Sequence, residues 1–193
     1  MNTLSNTRKT AESAIMLALG IALTEISELI PWPFLQGGSV TLFGMVPVMI
    51  IAYRHGTKQG LLTGFAFGII ELLFGLKNFS YVKGLAAVIL LALLDYLVAF
   101  GVMGLAGVFR GRFGDSQRKE LVAGGILCCV LRFICHFLSG VVVWGEWTNG
   151  AKAVWVYSLT YNGSYMLANT IITVIGLIGF ASAFDLRKEK SGI

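Results

Sequence analysis

Residues 121–144 read LVAGGILCCVLRFICHFLSGVVVW, and this stretch decides what kind of protein the chain makes. A helix needs about 20 apolar residues to cross the hydrocarbon of a bilayer, and the stretch supplies them. Only Arg132 and His136 interrupt it with groups that carry charge near neutral pH. Arg132, His136, Gly140 and Trp144 recur every four residues, so they share one face of a helix. An ionisable group in the hydrocarbon costs about 2.5 kcal/mol or more on insertion scales, so such a stripe needs a partner or a task.

Working outward, further apolar runs occupy residues 14–23, 40–53, 85–109 and 166–184. The 193 residues are 56% hydrophobic and 13% charged, whereas soluble domains run near a quarter charged, so lipid must solvate the excess apolar surface. The pattern predicts one all-α integral membrane bundle over residues 1–193, with six spans at about 10–30, 40–53, 60–76, 82–109, 121–144 and 162–184. Pro31 and Pro33 end the first span, because proline lacks the backbone donor a helix needs. Arg8 and Lys9 before an apolar stretch imitate a signal peptide, yet the stretch runs on through Glu25 and Glu28 and reads as a retained span. The second run is short for a crossing and carries Pro47, which predicts a tilted or irregular segment. Gly60, Gly64 and Gly68 form a small-residue stripe suited to close helix packing.

The net charge of +5 raises nucleic acid as a partner, and the placement of the cations argues against it. Eleven of the fifteen Lys and Arg fall in four places: Arg8 and Lys9; Arg54 and Lys58; Arg110, Arg112, Arg118 and Lys119; Arg187, Lys188 and Lys190. These are alternate connections. The positive-inside bias then predicts that both termini are cytoplasmic, with a bilayer rather than nucleic acid as the environment. Cys128, Cys129 and Cys135 have neither zinc-site nor redox spacing and read as small packing residues.

Four ionisable groups fall inside spans: Glu71, Asp95, Arg132 and His136. Helical rise puts Asp95 about 20 Å into the fourth span, where it faces either a ligand or the Arg132 guanidinium. On the fifth span, Gly140 leaves room beside the backbone, and the rings of His136 and Trp144 offer flat faces on either side. Tyr157 and Asn162 sit where the sixth span begins, and an Asn amide can both donate and accept at the edge of a heteroaromatic ring. One buried carboxylate, flat rings and an amide describe a pocket for a planar cation. Phosphate-loop, metalloprotease and nucleophile-elbow motifs are absent, so no catalytic residue, cofactor or metal is expected, and any pumping needs an ATPase partner. An acid and base pair of His136 with Asp95 in a small intramembrane enzyme remains as an alternative of another class.

The segments QGGSV at 36–40, LDYLVAF at 94–100, LRF at 131–133 with His136, Ser139 and Gly140, and WVYSLTYN at 155–162 resemble the thiamine-specific substrate-binding subunit of energy-coupling factor transporters. The resemblance runs from the first span to the last. It implies a six-helix subunit that binds thiamine tightly in an outward-facing pocket and works with a membrane coupling subunit and two cytoplasmic ATPases. Asp95 matches the family's acidic ligand contact and Tyr96 follows it. His136, Gly140 and Trp144 match the binding stripe, and Tyr157 and Asn162 match the family's tyrosine and asparagine. An aromatic of the first outer loop, Trp32 or Phe34, would close the pocket, with Tyr81 as a further aromatic. Ala14 and Ala18, extended by Ala22, match the alanine pattern through which the family docks its coupling subunit. The same architecture could instead hold another vitamin or a thiamine precursor.

Overall fold

The structure is a computed structural model that describes residues 6–30, 40–114, 116–145 and 153–187. All elements among them are helical. Helix α1 covers Asn6–Glu28, α2 Val46–His55 and α3 Thr57–Phe74, the last tightening into a 3₁₀ turn at Gly75–Tyr81. Helix α4 is the rod Leu85–Gly107, α5 covers Gln117–Val142 and α6 covers Val154–Ala183. Five of these, all but α2, are long and apolar enough to cross a membrane. Large apolar side chains such as Ile15, Leu62, Leu85, Ile134 and Leu167 remain exposed on their outer faces, as lipid-facing positions would.

The second predicted span differs most from expectation. Helix α2 has 10 residues, about 15 Å of rise, and Val46 to Tyr53 are all buried. It is apolar all round because protein surrounds it, with α1, α3, α4, α5 and α6 as neighbours. The chain before it is not helical, and Phe43 has a φ of 60°. Irregular backbone at membrane depth needs partners from the protein itself. Here Ser27 Oγ accepts from the Leu42 N–H at 2.7 Å, and Asn169 Oδ1 accepts from the Thr41 N–H at 2.8 Å.

The sixth helix is the other departure. It begins at Val154, two turns before the predicted start at 162, because residues 154–161 contain no glycine or proline to stop it. Its 30 residues rise about 45 Å, more than the roughly 30 Å hydrocarbon core, so the aromatic first turns extend to one bundle end. Trp32 and Phe34, the predicted loop aromatics, lie outside the described residues.

Close packing depends on the glycine stripe of α3. A Cβ on Gly64 would sit 2.6 Å from the Phe100 carbonyl oxygen and one on Gly68 2.9 Å from that of Tyr96, so α3 lies backbone to backbone against α4. At the bundle end carrying the cation clusters, the fully buried Glu120 accepts from the Tyr53 hydroxyl, pairs with Arg187 at 2.8 Å and accepts from the Gly111 N–H at 2.8 Å. Glu12 on α1 accepts from Arg54 at 2.9 Å and lies 2.8 Å from His55 Nε2, which ties α1 to the end of α2. These two carboxylates lock the ends of five helices.

Two outcomes follow in detergent-solubilised protein. Gly64→Leu overpacks the α3–α4 contact and should cost about 1–3 kcal/mol, read as a lower melting temperature. Glu120→Ala leaves the Tyr53 hydroxyl and a loop N–H without their acceptor and should destabilise by about 1–3 kcal/mol. An unchanged melting temperature in either variant would contradict the packing described.

Candidate functional site

Asp95 lies in the middle of α4, in a π-helical turn at Ala92–Leu97. Such a turn inserts one extra residue into the helix and is frequent at functional sites. It lets neighbouring side chains diverge: Asp95 reaches α5, while Tyr96 reaches the 3₁₀ turn at Gly75–Tyr81. The Asp95 carboxylate is bound by three donors, all from α5 and its end. Oδ1 lies 3.0 Å from His136 Nδ1, and Oδ2 accepts from Ser139 Oγ at 2.8 Å and from Trp144 Nε1 at 3.1 Å. A carboxylate is acceptor only, so His136 carries its proton on Nδ1. Trp144 lies just past the end of α5, where the N–H groups of Val143 and Trp144 both bond the Ser139 carbonyl and tighten the last turn.

Arg132 does not pair with Asp95. Its guanidinium lies 4.0 Å above the Phe100 ring, one turn of α5 away from His136. The structural alternative considered for Asp95, an ion pair with Arg132, is therefore not the arrangement found. Among the described residues no Lys or Arg pairs with the carboxylate; its partners are an imidazole, a hydroxyl and an indole.

Gly140 sits where α5 meets α6. A Cβ there would lie 2.2 Å from Ser158 Oγ and 2.9 Å from Asn162 Nδ2, so the space beside this glycine is taken by α6. Ser158 Oγ donates to the Phe137 carbonyl at 2.8 Å across the contact. Asn162 is buried one helical repeat further on; its Nδ2 donates to the Ser158 carbonyl at 3.0 Å and its Oδ1 accepts from the Tyr165 hydroxyl at 2.7 Å. Tyr165 in turn meets the His136 ring edge-on at 6.2 Å. Tyr157 is exposed and stacks on Tyr161 at 5.9 Å, and Tyr161 meets Tyr165 at 5.6 Å. Tyr157, Tyr161 and Tyr165 thus form an aromatic ladder along α6 that descends from its open end to His136.

The fold therefore brings Asp95, His136, Gly140, Trp144 and Asn162 together between α4, α5 and α6, with Tyr157 at the rim. Tyr96 stands apart. Its hydroxyl accepts from Asn78 Nδ2 at 2.9 Å and its ring stacks on Phe79 at 6.0 Å, so it fastens the 3₁₀ turn after α3 to α4. Sequence reasoning passed over Ser139 as a partner of Asp95 and Tyr161 and Tyr165 as pocket groups. The four-residue spacing of the tyrosines was a usable signal; nothing local marked Ser139. Ala14, Ala18 and Ala22 are exposed on one face of α1, while Ser13, Gly20, Thr24 and Ser27 are buried on the other. Among the described residues no cluster of His, Cys, Asp or Glu could hold a metal ion.

The site can neutralise one positive charge and press flat rings against it. Water is largely excluded, since the Asp95 and His136 side chains keep 18% and 12% of their surface accessible. The profile of the thiamine transporter protein family matches residues 10–187. The chain is similar to the thiamine transporter ThiT of Bacillus subtilis (strain 168), 34% identical over 175 residues, covering 86% of each chain. It is also similar to the thiamine transporter ThiT of Lacticaseibacillus paracasei, 32% identical over 175 residues that span 85% of this chain and 82% of that one. Its fold matches a solved structure of ThiT from Listeria monocytogenes with a TM-score of 0.72 over 93% of this chain and 96% of that one, at 24% identity. On the extent of these matches, the chain belongs to the thiamine transporter protein family.

Proposed function

We propose that this chain captures thiamine outside a prokaryotic cell and presents it, as the substrate-binding subunit of an energy-coupling factor importer, to a membrane coupling subunit and two cytoplasmic ATPases. The observation that carries the reading is the Asp95 carboxylate: it lies inside the bundle and, among the described residues, is held by the imidazole and hydroxyl of α5 and the indole just past its end. Its negative charge is left for the positively charged thiazolium ring. The indole of Trp144 and the imidazole of His136 supply faces for the two rings of the vitamin, and a cation over an aromatic face in a dry site gains up to about 2 kcal/mol. Tyr157 and Asn162 orient the ring edge. The subunit binds and does not catalyse; its relatives carry the name of a transporter.

The same reading places six helices in the membrane, with the short α2 as the buried member of the set and both termini on the cytoplasmic side. Supporting it, the cation clusters lie on alternate connections, so the end locked by Glu12 and Glu120 faces the cytoplasm. The mouth of the site then opens outward, beside the 3₁₀ turn at Gly75–Tyr81 and the first turns of α6. The exposed Ala14, Ala18 and Ala22 offer the coupling subunit a flat surface for close helix contact.

Thiamine added to the purified protein should quench tryptophan fluorescence at nanomolar to micromolar concentration; no response at millimolar concentration would reject the assignment. Asp95→Asn keeps the shape and removes the charge, and it should weaken binding by more than the factor of ten that about 1.4 kcal/mol represents. Ala18→Trp should leave thiamine binding within about twofold while abolishing uptake by cells, since its position lies far from the pocket and on the docking face. Uptake that persists would remove α1 from the docking interface.

A further inference from the structure

The amide of Asn162 could turn either its oxygen or its nitrogen toward a guest, and the groups around it decide which. On α6, Ser158, Asn162 and Tyr165 follow one another at spacings of four and three residues and are all buried, so they form one polar stripe. Asn162 Nδ2 donates to the Ser158 carbonyl at 3.0 Å and lies 3.0 Å from Ser158 Oγ. The reverse orientation would set the amide oxygen against that carbonyl, two acceptors with no hydrogen between them. Oδ1 therefore points the other way, where the Tyr165 hydroxyl donates to it at 2.7 Å.

Both sides of this arrangement are anchored. Ser158 Oγ donates to the Phe137 carbonyl of α5 at 2.8 Å, and the backbone of Gly140 closes the nitrogen side, since a Cβ there would lie 2.9 Å from Asn162 Nδ2. On the oxygen side, the Tyr165 ring is held by more than its hydroxyl. It belongs to an apolar cluster with Val40 and Met166, meets the His136 ring edge-on at 6.2 Å and meets Tyr161 at 5.6 Å. Packing thus fixes the ring, and the ring aims the hydroxyl at Oδ1. Phenylalanine in its place would keep that packing and lose only the donor.

We propose that Tyr165 is a positioning residue that fixes the Asn162 amide as a hydrogen-bond acceptor, so that the site selects a guest whose ring edge donates. This rests on reading Asn162 as the group that orients the ring edge of the bound vitamin. An amide oxygen has two lone pairs; Tyr165 occupies one and the other serves the guest. The nitrogen faces Ser158 and Gly140, so it is not the atom that meets the ring. The pyrimidine ring of thiamine carries a donor on its edge, the exocyclic amino group. A ring with a carbonyl at that position would set oxygen against oxygen, and a site built to accept a hydrogen bond rejects the analogue that cannot donate one.

The test uses the full-length protein in detergent, titrated with thiamine and with the analogue that carries an oxo group in place of the pyrimidine amino group. Wild-type protein should prefer thiamine by about tenfold or more. Tyr165→Phe should bind thiamine about fivefold more weakly, the effect of one neutral hydrogen bond, while its affinity for the oxo analogue changes by less than about twofold. In an Asn162→Ala background the same Tyr165→Phe change should alter thiamine affinity by less than about twofold, because the hydroxyl acts through the amide. Where the double variant binds too weakly to measure, the ratio of the two compounds in Tyr165→Phe alone decides. Equal binding of both compounds by the wild type, an unchanged ratio in Tyr165→Phe, or an effect of Tyr165→Phe that persists without Asn162 would overturn the assignment and leave the vitamin pocket standing. Failure of the wild type to bind either compound would overturn it together with the reading beneath it.

Discussion

The three hydrogen bonds between the Asp95 carboxylate and α5 are the constraint on which the site depends. A carboxylate in the hydrocarbon is tolerated only if its charge is shared, and here an imidazole, a hydroxyl and an indole share it without cancelling it. The π turn at Ala92–Leu97 makes this possible by turning Asp95 toward α5 while Tyr96 holds the 3₁₀ turn at Gly75–Tyr81. A carboxylate neutralised by Arg132 would have no charge to offer a cation. The guanidinium is kept away by its stacking on Phe100.

Around that interaction the bundle is built for close approach. Glycines of α3 let α4 lie against it at backbone distance, and Gly140 lets Ser158 and Asn162 of α6 occupy the space beside α5. These contacts set the spacing of α3 against α4 and of α5 against α6. The ends carrying the cation clusters are locked by Glu12 and Glu120, each bridging distant segments. One end is therefore rigid, and the recognition groups lie toward the other.

The two faces of α1 differ in role. Gly20 and Thr24 are buried against the turn before α2, where a Cβ on Gly20 would lie 2.9 Å from the Gly44 carbonyl oxygen. The alanines on the opposite face carry no such contact and present a smooth strip to whatever lies beside the bundle.

The sequence by itself determined the membrane class, the five long helices except for the start of α6, the stripe of Arg132, His136, Gly140 and Trp144, and the isolated acid at 95. These are legible because helical periodicity and the cost of burying charge are local rules that act on residue type and spacing. Only the tertiary structure decided which partner Asp95 takes, that α2 is a short buried helix, that the space at Gly140 is filled by α6, and that Tyr96 meets the 3₁₀ turn after α3. The reason is physical: a π turn shifts a side chain around its helix by an amount no spacing rule contains. Likewise, the choice between His136 and Arg132 as partner depends on how far apart two helices sit and on whether an aromatic ring such as Phe100 holds the competitor.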